Sequence, residues 1–301
     1  MKVVVAGGTG FLGEPLVKLL VARGDDVVIL SRNPSKVTIG RGVAWDARTQ
    51  GGWSNDVASA DVIINLAGEN IGEGGRWSDE RKRRIIASRL DATHALVEAL
   101  RNAPSRTRAF LNASAIGYYG SRGDEMLDES SAPGSDFLSE VCRRWEDAAR
   151  DVESLARLVI VRIGIVLAPD GGALGKMLLP FRLFVGGKFG SGQQWMSWIT
   201  RDDLLRLFEW AIDNASARGV YNGTTPNPVR NEELTKTLGR VLHRPAILPA
   251  PAFALKLALG AEMAESLLLS SQRVMPAHAA RDGFAPEDSD LERALGKLLV
   301  T

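Results

Sequence analysis

The feature that most restricts the fold is a glycine-rich turn close to the start of the chain. Val3–Ala6 is a short run of mostly β-branched residues, which predicts a buried parallel strand. The turn Gly7–Gly13 (GGTGFLG) follows, and leucines then recur at helical spacing through Leu12–Ala22. A strand, a glycine turn and a helix in this order are typical of the phosphate-binding start of a doubly wound α/β sheet, because free N–H groups at the helix start attract an anion.

The three spaced glycines of the turn have separate predicted roles. Gly7 permits the tight turn, Gly10 lets the backbone approach a pyrophosphate, and Gly13 lets the helix pack closely. The alternative is a glycine turn that binds no ligand. The predicted dinucleotide contacts in this segment are Gly7, Thr9, Gly10, Phe11, Leu12 and Gly13.

The end of the second predicted strand, Val27–Leu30, indicates which dinucleotide is bound. An NAD site usually has an acidic residue here for the ribose hydroxyl, but this chain has Ser31 and Arg32. The planar guanidinium of Arg32 can bind a 2′-phosphate and stack on adenine, and Ser31 adds a hydroxyl donor. These residues predict NADP(H) as the cofactor. The alternative is that Arg32 is a solvated surface residue.

The alternation of apolar runs and helical patterns predicts a doubly wound parallel sheet (Rossmann) over residues 1–165. A more Gly- and Pro-rich second half predicts a smaller C-terminal substrate lobe over residues 166–301, with part of the chain returning to the sheet. Further strands are predicted at 62–66, 109–113, 158–163 and 220–222. Further helices are predicted at 79–101, 136–155, 231–242 with Asn231 as its N-cap, 253–269 and 286–299.

Composition and charge argue against several classes of function. The 301 residues carry a net charge of +1, which gives no basic field for nucleic acid or an anionic membrane. The basic run Arg76–Arg84 is diluted by acidic residues and is predicted to be a solvated helix face. Cys142 is the single cysteine, and the three histidines lack ligand spacing, so neither a disulfide nor a metal site is predicted. The chain start lacks a signal-peptide pattern, and no long apolar window is present, which predicts a cytoplasmic protein.

Three further stretches carry a family resemblance: Asn65–Asn70 (NLAGEN), Ser114–Gly120 (SAIGYYG) and Gly190–Trp198 (GSGQQWMSW). With these stretches the sequence resembles an extended short-chain dehydrogenase/reductase, and more closely its nucleoside-diphosphate-sugar epimerase-like branch. The resemblance implies that the turn after the strand at 62–66 lines the cofactor, through Leu66, Ala67 and Gly68. It also implies a small-molecule substrate and a homodimer.

The chain departs from that family where the chemistry should lie. The family uses a tyrosine that exchanges a proton and a lysine four residues later, on one face of a helix. The family lysine is usually followed four residues on by a glutamate, so Glu146 places Leu138 and Cys142 at these positions. Leucine cannot move a proton, and a thiol cannot replace a long ammonium.

Ser114 and Tyr119 are therefore the predicted catalytic substitutes, with Tyr118 as a further phenol. The alternatives are a local backbone hydrogen bond for Ser114 and simple packing for Tyr119. Arg162, at a strand end, either reaches toward the site or pairs with a buried carboxylate. Trp195 and Trp198 either contact a nucleotide or sugar, or pack within their loop.

The predicted function is an NADP(H)-dependent oxidoreductase or epimerase that acts on a carbonyl or hydroxyl compound, including a nucleotide sugar. The alternative is a non-catalytic NADP(H)-binding sensor or scaffold protein, which the absence of the Tyr and Lys pair favours.

Overall fold

The computed structural model describes residues 1–102 and 106–299. The strands are β1 Lys2–Ala6, β2 Asp26–Ser31, β3 Arg41–Ala44, β4 Val62–Asn65, β5 Ala109–Ala115, β6 Met126–Leu127, β7 Arg157–Ile163, β8 Ile165–Ala168, β9 Trp195–Met196, β10 Trp198–Thr200, β11 Gly219–Gly223, β12 Val229–Arg230 and β13 Arg273–Val274. The helices are α1 Gly13–Ala22, α2 Trp53–Ala58, α3 Asp79–Arg101, α4 Phe137–Arg150, α5 Gly172–Arg182, α6 Arg201–Asp213, α7 Asn231–Leu242, α8 Ala252–Leu259, α9 Ala261–Ala264, α10 Ala277–Arg281 and α11 Leu291–Leu299. Short 3₁₀ turns cover Pro34–Lys36 and Ile116–Tyr119, and a π turn covers Glu265–Leu269.

Seven strands form a central parallel sheet in the order β11-β7-β5-β4-β1-β2-β3. The chain builds outward from β1 to β3 and then crosses to β4 on the other side of β1. This reversal opens a crevice beyond the carboxyl ends of β1 and β4, where doubly wound sheets bind ligands. The predicted Rossmann sheet is confirmed.

Alternating side chains of the strands supply the two apolar faces of the sheet. Val3 and Val5 pack with residues of α1 and α6, whereas Val4 and Ala6 pack with residues of α2 and α3. β11 and α6 lie within the range predicted as the second lobe, but β11 is a strand of the central sheet and α6 belongs to the helical layer that packs on it. This agrees with the expected return of the chain to the sheet.

A third apolar cluster lies within the second half of the chain. Its members come from β8, α5, β9, β10, β12, α7 and α11, and include Leu174, Phe181, Trp198, Leu238 and Leu295. This part of the chain therefore contributes a separate apolar cluster beside the core that it shares with the sheet. Within the described ranges, no helix is long and apolar enough to cross a membrane.

Several predicted boundaries are wrong. Helix α4 ends at Arg150, well before residue 155, and the last helix begins at Leu291. The predicted helix 253–269 is divided at Gly260, whose φ of +88° takes the chain out of helical geometry.

Asn231 is the first residue of α7 and not its N-cap. Its buried side chain instead accepts a hydrogen bond from the Phe189 N–H at 2.8 Å. Asn231 therefore joins the start of α7 to the loop before β9. Neither β3 nor α2 was predicted, because β3 is a four-residue edge strand with no buried residue and α2 is barely two turns long.

Candidate functional site

The glycine turn winds tightly against the segment that follows β4. Gly7 has a φ of +80°, and a Cβ on it would lie 2.8 Å from the carbonyl carbon and oxygen of Leu66. A Cβ on Gly13 would lie 2.2 Å from the Gly7 carbonyl oxygen. Gly10 donates its N–H to that same oxygen at 3.1 Å and is exposed. The turn thus requires glycine at positions 7 and 13, and it leaves Gly10 open toward the crevice.

The rest of the turn offers backbone donors to the crevice. Helix α1 begins at Gly13, after Leu12, and no side chain of the described residues caps its N-terminus. Thr9 is exposed, whereas the Phe11 ring packs on the Gly171–Gly172 turn, where a Cβ would lie 2.8 Å and 3.0 Å from ring carbons. An uncapped helix start beside an exposed glycine turn fits a pyrophosphate.

Arg32 lies at the end of β2, beside the turn. Its side chain is exposed and makes no hydrogen bond or ion pair with any described residue. Ser31 Oγ accepts the Asn33 N–H at 3.1 Å, which leaves its own proton free to donate. The two side chains are therefore available to a phosphate at the β1–β2 end of the crevice.

A buried amide holds the predicted cofactor-lining turn Leu66–Gly68. Asn65 Oδ1 accepts the Ala67 N–H at 3.2 Å, and Asn65 Nδ2 donates to Asn112 Oδ1 at 2.8 Å and to Thr93 Oγ1 at 2.9 Å. Asn65 and Asn112 are register partners on β4 and β5. Sequence reasoning placed this turn beside the cofactor but missed the buried network that fixes it.

At the β5–β7 end of the crevice, Ser114, Glu146 and Arg162 form a buried polar cluster, with each residue at most 3% exposed. Arg162 forms a bidentate pair with Glu146, with Nε to Oε1 and Nη2 to Oε2 both at 2.8 Å. Ser114 Oγ donates to Glu146 Oε1 at 2.6 Å. Burial alone would lower the pKa of Arg162, but the hydrogen bonds and charge of Glu146 outweigh it and raise that pKa. Of the two interpretations of Arg162, pairing with a buried carboxylate is confirmed.

Tyr119 extends this cluster away from the crevice. Its hydroxyl accepts from Arg162 Nη1 at 2.9 Å and donates to Asn222 Oδ1 at 2.8 Å, and the residue has no exposed surface. Burial raises the pKa of Tyr119 to about 12. Ser114, Arg162 and Asn222 are register partners across β5, β7 and β11, so the sheet itself assembles the cluster.

The neighbouring Tyr118 has a different environment. Its ring centroid lies 3.3 Å from Arg162 Cζ, and its hydroxyl makes no hydrogen bond with the described residues. The residue is half-buried, unlike Tyr119. Of the two tyrosines considered from sequence, Tyr118 is the one whose hydroxyl has no hydrogen-bond partner in the described part of the chain.

The helix face that should carry the tyrosine and lysine packs against the 3₁₀ turn Ile116–Tyr119. A Cβ on Gly117 would lie 3.2 Å from Leu138 Cβ and 3.8 Å from Cys142 Sγ. Both side chains are buried, and burial raises the pKa of Cys142 to about 11. A buried thiol with a raised pKa is protonated near neutral pH and unreactive.

The loop Gly190–Trp198 contains both packed and available side chains. Trp198 is fully buried and donates its Nε1–H to the Asn227 carbonyl, which confirms packing for this residue. Trp195 is half-buried, with Arg230 Cζ 4.1 Å and Arg273 Cζ 4.6 Å from its ring centroid, and its Nε1–H donates to Asp124 Oδ1 at 2.9 Å. Arg273 Nε is buried and has no hydrogen-bond partner among the described residues. Arg273 thus remains available to an anionic ligand.

The basic run at the start of α3 is partly internal. Arg81 is buried and donates to the carbonyls of Asn70, Ile71 and Gly75, so the prediction of a solvated face is wrong for it. Arg83 and Arg84 are exposed as predicted. Arg81 closes the loop between β4 and α3, which explains its burial.

Comparisons with known proteins agree with this geometry. Residues 3–222 match the model of the NAD dependent epimerase/dehydratase family, and residues 250–298 match a domain of unknown function, DUF1731. The chain is 42% identical over 294 residues to the chloroplastic SDR39U1 homolog of the epimerase family from Arabidopsis thaliana, covering 94% of this chain and 82% of that protein.

Two solved structures are similar over nearly the whole chain. The crystal structure of human epimerase family protein SDR39U1 (isoform 2) with NADPH superimposes with a TM-score of 0.91 at 36% identity, covering 100% of both chains. The nucleoside-diphosphate sugar epimerase from Corynebacterium glutamicum superimposes with a TM-score of 0.80 at 33% identity, covering 99% of this chain and 58% of that one. The resemblance predicted from Asn65–Asn70, Ser114–Gly120 and Gly190–Trp198 is confirmed, and the chain belongs to the NAD-dependent epimerase/dehydratase family.

Proposed function

We propose that the chain binds NADP(H) across the crevice, with the pyrophosphate on the glycine turn and the 2′-phosphate on Arg32 and Ser31. The guanidinium of Arg32, which has no partner among the described residues and lies at a strand end without a carboxylate, is the observation that carries this proposal. The glycine turn fits a pyrophosphate, since it excludes side chains at Gly7 and Gly13 and leaves Gly10 open. NADPH in the crystal structure of human SDR39U1 supports the same choice.

The reaction we propose is hydride transfer between the nicotinamide and a carbonyl or hydroxyl carbon, as in an oxidoreductase or epimerase. The cofactor supplies the hydride, and the protein orients it and excludes water. Ser114 is the proposed polar contact for the reacting oxygen. The ion-paired carboxylate of Glu146 can only accept, so Ser114 donates to it and offers a lone pair to a substrate hydroxyl.

The two tyrosines receive different roles in this proposal. The Tyr119 hydroxyl holds Arg162 and Asn222 and positions the cluster behind Ser114. Tyr118 is the phenol available to a substrate, because its hydroxyl has no other partner in the described part of the chain. Direct proton donation by Tyr119 would require its hydrogen bond to Asn222 Oδ1 to break in a buried site.

A nucleotide sugar is the proposed substrate class. Trp195 can stack on a base or sugar face, and Arg273 can pair with a diphosphate. The C. glutamicum structure, named a nucleoside-diphosphate sugar epimerase, supports this class. The second candidate function, a non-catalytic NADP(H) sensor or scaffold, is favoured by the buried Leu138 and Cys142 at the usual tyrosine and lysine positions.

Titration with NADPH and NADH, followed by fluorescence, tests the cofactor. Arg32→Asp should weaken NADPH about 100-fold, because a charge-assisted phosphate contact becomes a repulsion, and should change NADH within about threefold. Arg83→Asp, an exposed charge reversal on α3, is the matched control and should change neither. Equal weakening of both nucleotides by Arg32→Asp would refute the 2′-phosphate assignment.

A panel of carbonyl and hydroxyl substrates, including nucleotide sugars, tests the reaction. Ser114→Ala and Tyr118→Phe should each lower kcat at least about tenfold, while Tyr119→Phe should act mainly on stability. Turnover unchanged in both Ser114→Ala and Tyr118→Phe would remove these groups from the reaction. No turnover by the wild type on the whole panel, with NADPH bound, would favour the sensor.

We also propose that the chain divides into two lobes at residue 165 and that it forms a homodimer. The third apolar cluster supports a second lobe in residues 166–301. Sedimentation of the purified chain at several concentrations measures the dimer directly, and a constant monomer mass would exclude it.

A further inference from the structure

Arg89 is a cation at the crevice that has no acidic partner in the described part of the chain. It lies midway along α3, is half-buried, and forms no ion pair with any described carboxylate. The nearby Glu69 pairs instead with Arg84 at 3.1 Å. Burying a guanidinium without an anion is unfavourable unless other groups stabilise it.

The Arg89 guanidinium packs directly on the turn after β4. A Cβ built on Gly68 would lie 3.0 Å from Arg89 Cζ and 3.2 Å from Nη1. Nη1 donates to the Glu69 carbonyl at 3.2 Å and to the Ile85 carbonyl at 2.9 Å. These two bonds fix the side chain against the turn, whereas Nε and Nη2 make no hydrogen bond with the described residues.

The opposite side of Arg89 is held by α4. Its Cζ lies 5.1 Å from the Trp145 ring centroid, and Trp145 Nε1 donates to Thr93 Oγ1 at 3.1 Å. Cys142 lies three residues before Trp145, on the same face of α4. The charge of Arg89 acts on Cys142, and burial lowers the pKa of Arg89 itself. The Arg89 cation of α3 therefore lies beside the α4 position where the family has a lysine and this chain has the uncharged Cys142.

Arg89 packs on Gly68, just past the carboxyl end of β4, and β4 lies on the opposite side of β1 from β2, the strand that leads to Arg32. A dinucleotide with its adenosine on β2 and its pyrophosphate on the turn extends its second half in this direction. We propose that Arg89 binds the ribose next to the nicotinamide, donating from its free Nε and Nη2 to the ribose hydroxyls. This inference rests on the proposed function and adds a positioning residue for the nicotinamide end.

Calorimetric titration with NADPH and with adenosine 2′,5′-bisphosphate, which lacks the whole nicotinamide mononucleotide half (nicotinamide, ribose and the phosphate attached to it), tests the assignment. Arg89→Met keeps the stem that packs on Gly68 and Trp145 but removes the donors. It should weaken NADPH about tenfold or more, as expected for loss of a charged hydrogen bond, and leave adenosine 2′,5′-bisphosphate within twofold. Arg32→Asp should weaken both ligands.

Arg84→Met, an exposed site on the same helix, is the matched control and should bind both ligands as the wild type does. Arg89→Gln, a neutral variant with an amide donor for the Glu69 carbonyl, gives the same comparison if Arg89→Met does not fold. Wild-type affinity for NADPH in the folded variant would overturn the inference, as would equal weakening of both ligands. Failure of the wild type to bind NADPH would overturn the proposed function and this inference with it.

Discussion

The two ends of the crevice are built in different ways. At the β1–β2 end, Gly7–Gly13 and Arg32 belong to one contiguous strand–turn–helix–strand unit, and the available groups are backbone N–H groups and an exposed guanidinium. At the β5–β7 end, side chains from β5, α4, β7 and β11 meet in a buried network around the Glu146–Arg162 pair. The first end offers open donors to a ligand, whereas the second satisfies most of its polar groups internally.

The contrast teaches where substitutions should act on folding and where on binding. Buried ion pairs and hydrogen bonds are costly to break, because the remaining partner stays desolvated. A substitution that removes an exposed donor weakens ligand binding but changes the free energy of unfolding only a little. Substitutions at the β5–β7 end should therefore lower the stability of the protein, whereas substitutions at the β1–β2 end should lower its affinity for the cofactor.

The largest expected effect is at the buried pair. Glu146→Gln removes the anion and leaves the Arg162 cation buried, which should lower the free energy of unfolding by roughly 3–5 kcal/mol. Urea denaturation measures this change. Glu140→Gln, on the same helix and paired with Arg144 at the surface, should cost less than about 1 kcal/mol. If both variants lower the free energy of unfolding by the same small amount, the buried cluster does not stabilise the fold.

The next effect tests Gly13, one of the two positions of the glycine turn where packing should matter for stability as well as for binding. Gly13→Ala places a Cβ 2.2 Å from the Gly7 carbonyl oxygen, so the turn must shift. We expect a loss of roughly 2–3 kcal/mol in the free energy of unfolding together with weaker NADPH binding. Gly296→Ala in α11, where a Cβ meets no atom of the described residues within 4 Å, is the control. A Gly13→Ala protein as stable as that control would contradict the close packing.

The pH dependence of stability should carry a contribution from Cys142. Burial raises the pKa of Cys142 to about 11 from an ordinary value of 9.0. The folded protein therefore binds the thiol proton more tightly than the unfolded chain does. The stability that this provides is fully present below pH 9 and is lost as the pH rises to 11, by roughly 2 kcal/mol.

Cys142→Ala isolates this contribution, since alanine does not titrate. Urea denaturation at pH 8, 9, 10 and 11 should give a shallower decline in the free energy of unfolding for Cys142→Ala than for the wild type. Thiol labelling of the wild type at pH 8 should proceed only with unfolding. Parallel declines in the two proteins, or fast labelling of the folded wild type, would place the thiol in contact with solvent.

The smallest expected effect separates the two tyrosines. Tyr119→Phe removes the hydroxyl between Arg162 and Asn222 and should lower the free energy of unfolding by about 1–2 kcal/mol. Tyr118→Phe removes a hydroxyl with no partner in the described residues and should change it by less than about 0.5 kcal/mol. Thermal denaturation of both variants under identical conditions makes the comparison. The reverse ranking would exchange the roles proposed for the two phenols.

Much of the fold was predictable because its signals are local. β1, α1, β2 and β4 follow from short apolar runs and leucine spacing, and Ser78 caps α3 as its residue type suggests, accepting the Arg81 N–H at 3.3 Å. The short edge strand β3 and the break at Gly260 were missed. Their apolar patterns are too brief, or too uniformly apolar, to mark a boundary.

The candidate site divides in the same way. Gly7–Gly13 and Arg32 are close in sequence, so their residue types and spacing alone predicted a dinucleotide turn with a basic end. Pairing of Arg162 with a buried carboxylate was one of two interpretations from sequence, but Glu146 was noted only as a marker of helix register and was not identified as the partner. Tyr119 and Asn222 are 103 residues apart, and no pattern in the chain connects them.

The sequence by itself determined the sheet start, the glycine turn, the basic residue after β2 and the absence of the usual tyrosine and lysine, because each depends on residues adjacent along the chain. The tertiary structure decided that Glu146, Arg162, Ser114 and Asn222 meet, and that Arg89 stands beside Cys142. The strand order β11-β7-β5-β4 and its register bring these side chains together. Contacts of that kind depend on the packing of whole strands and helices, and not on local preference.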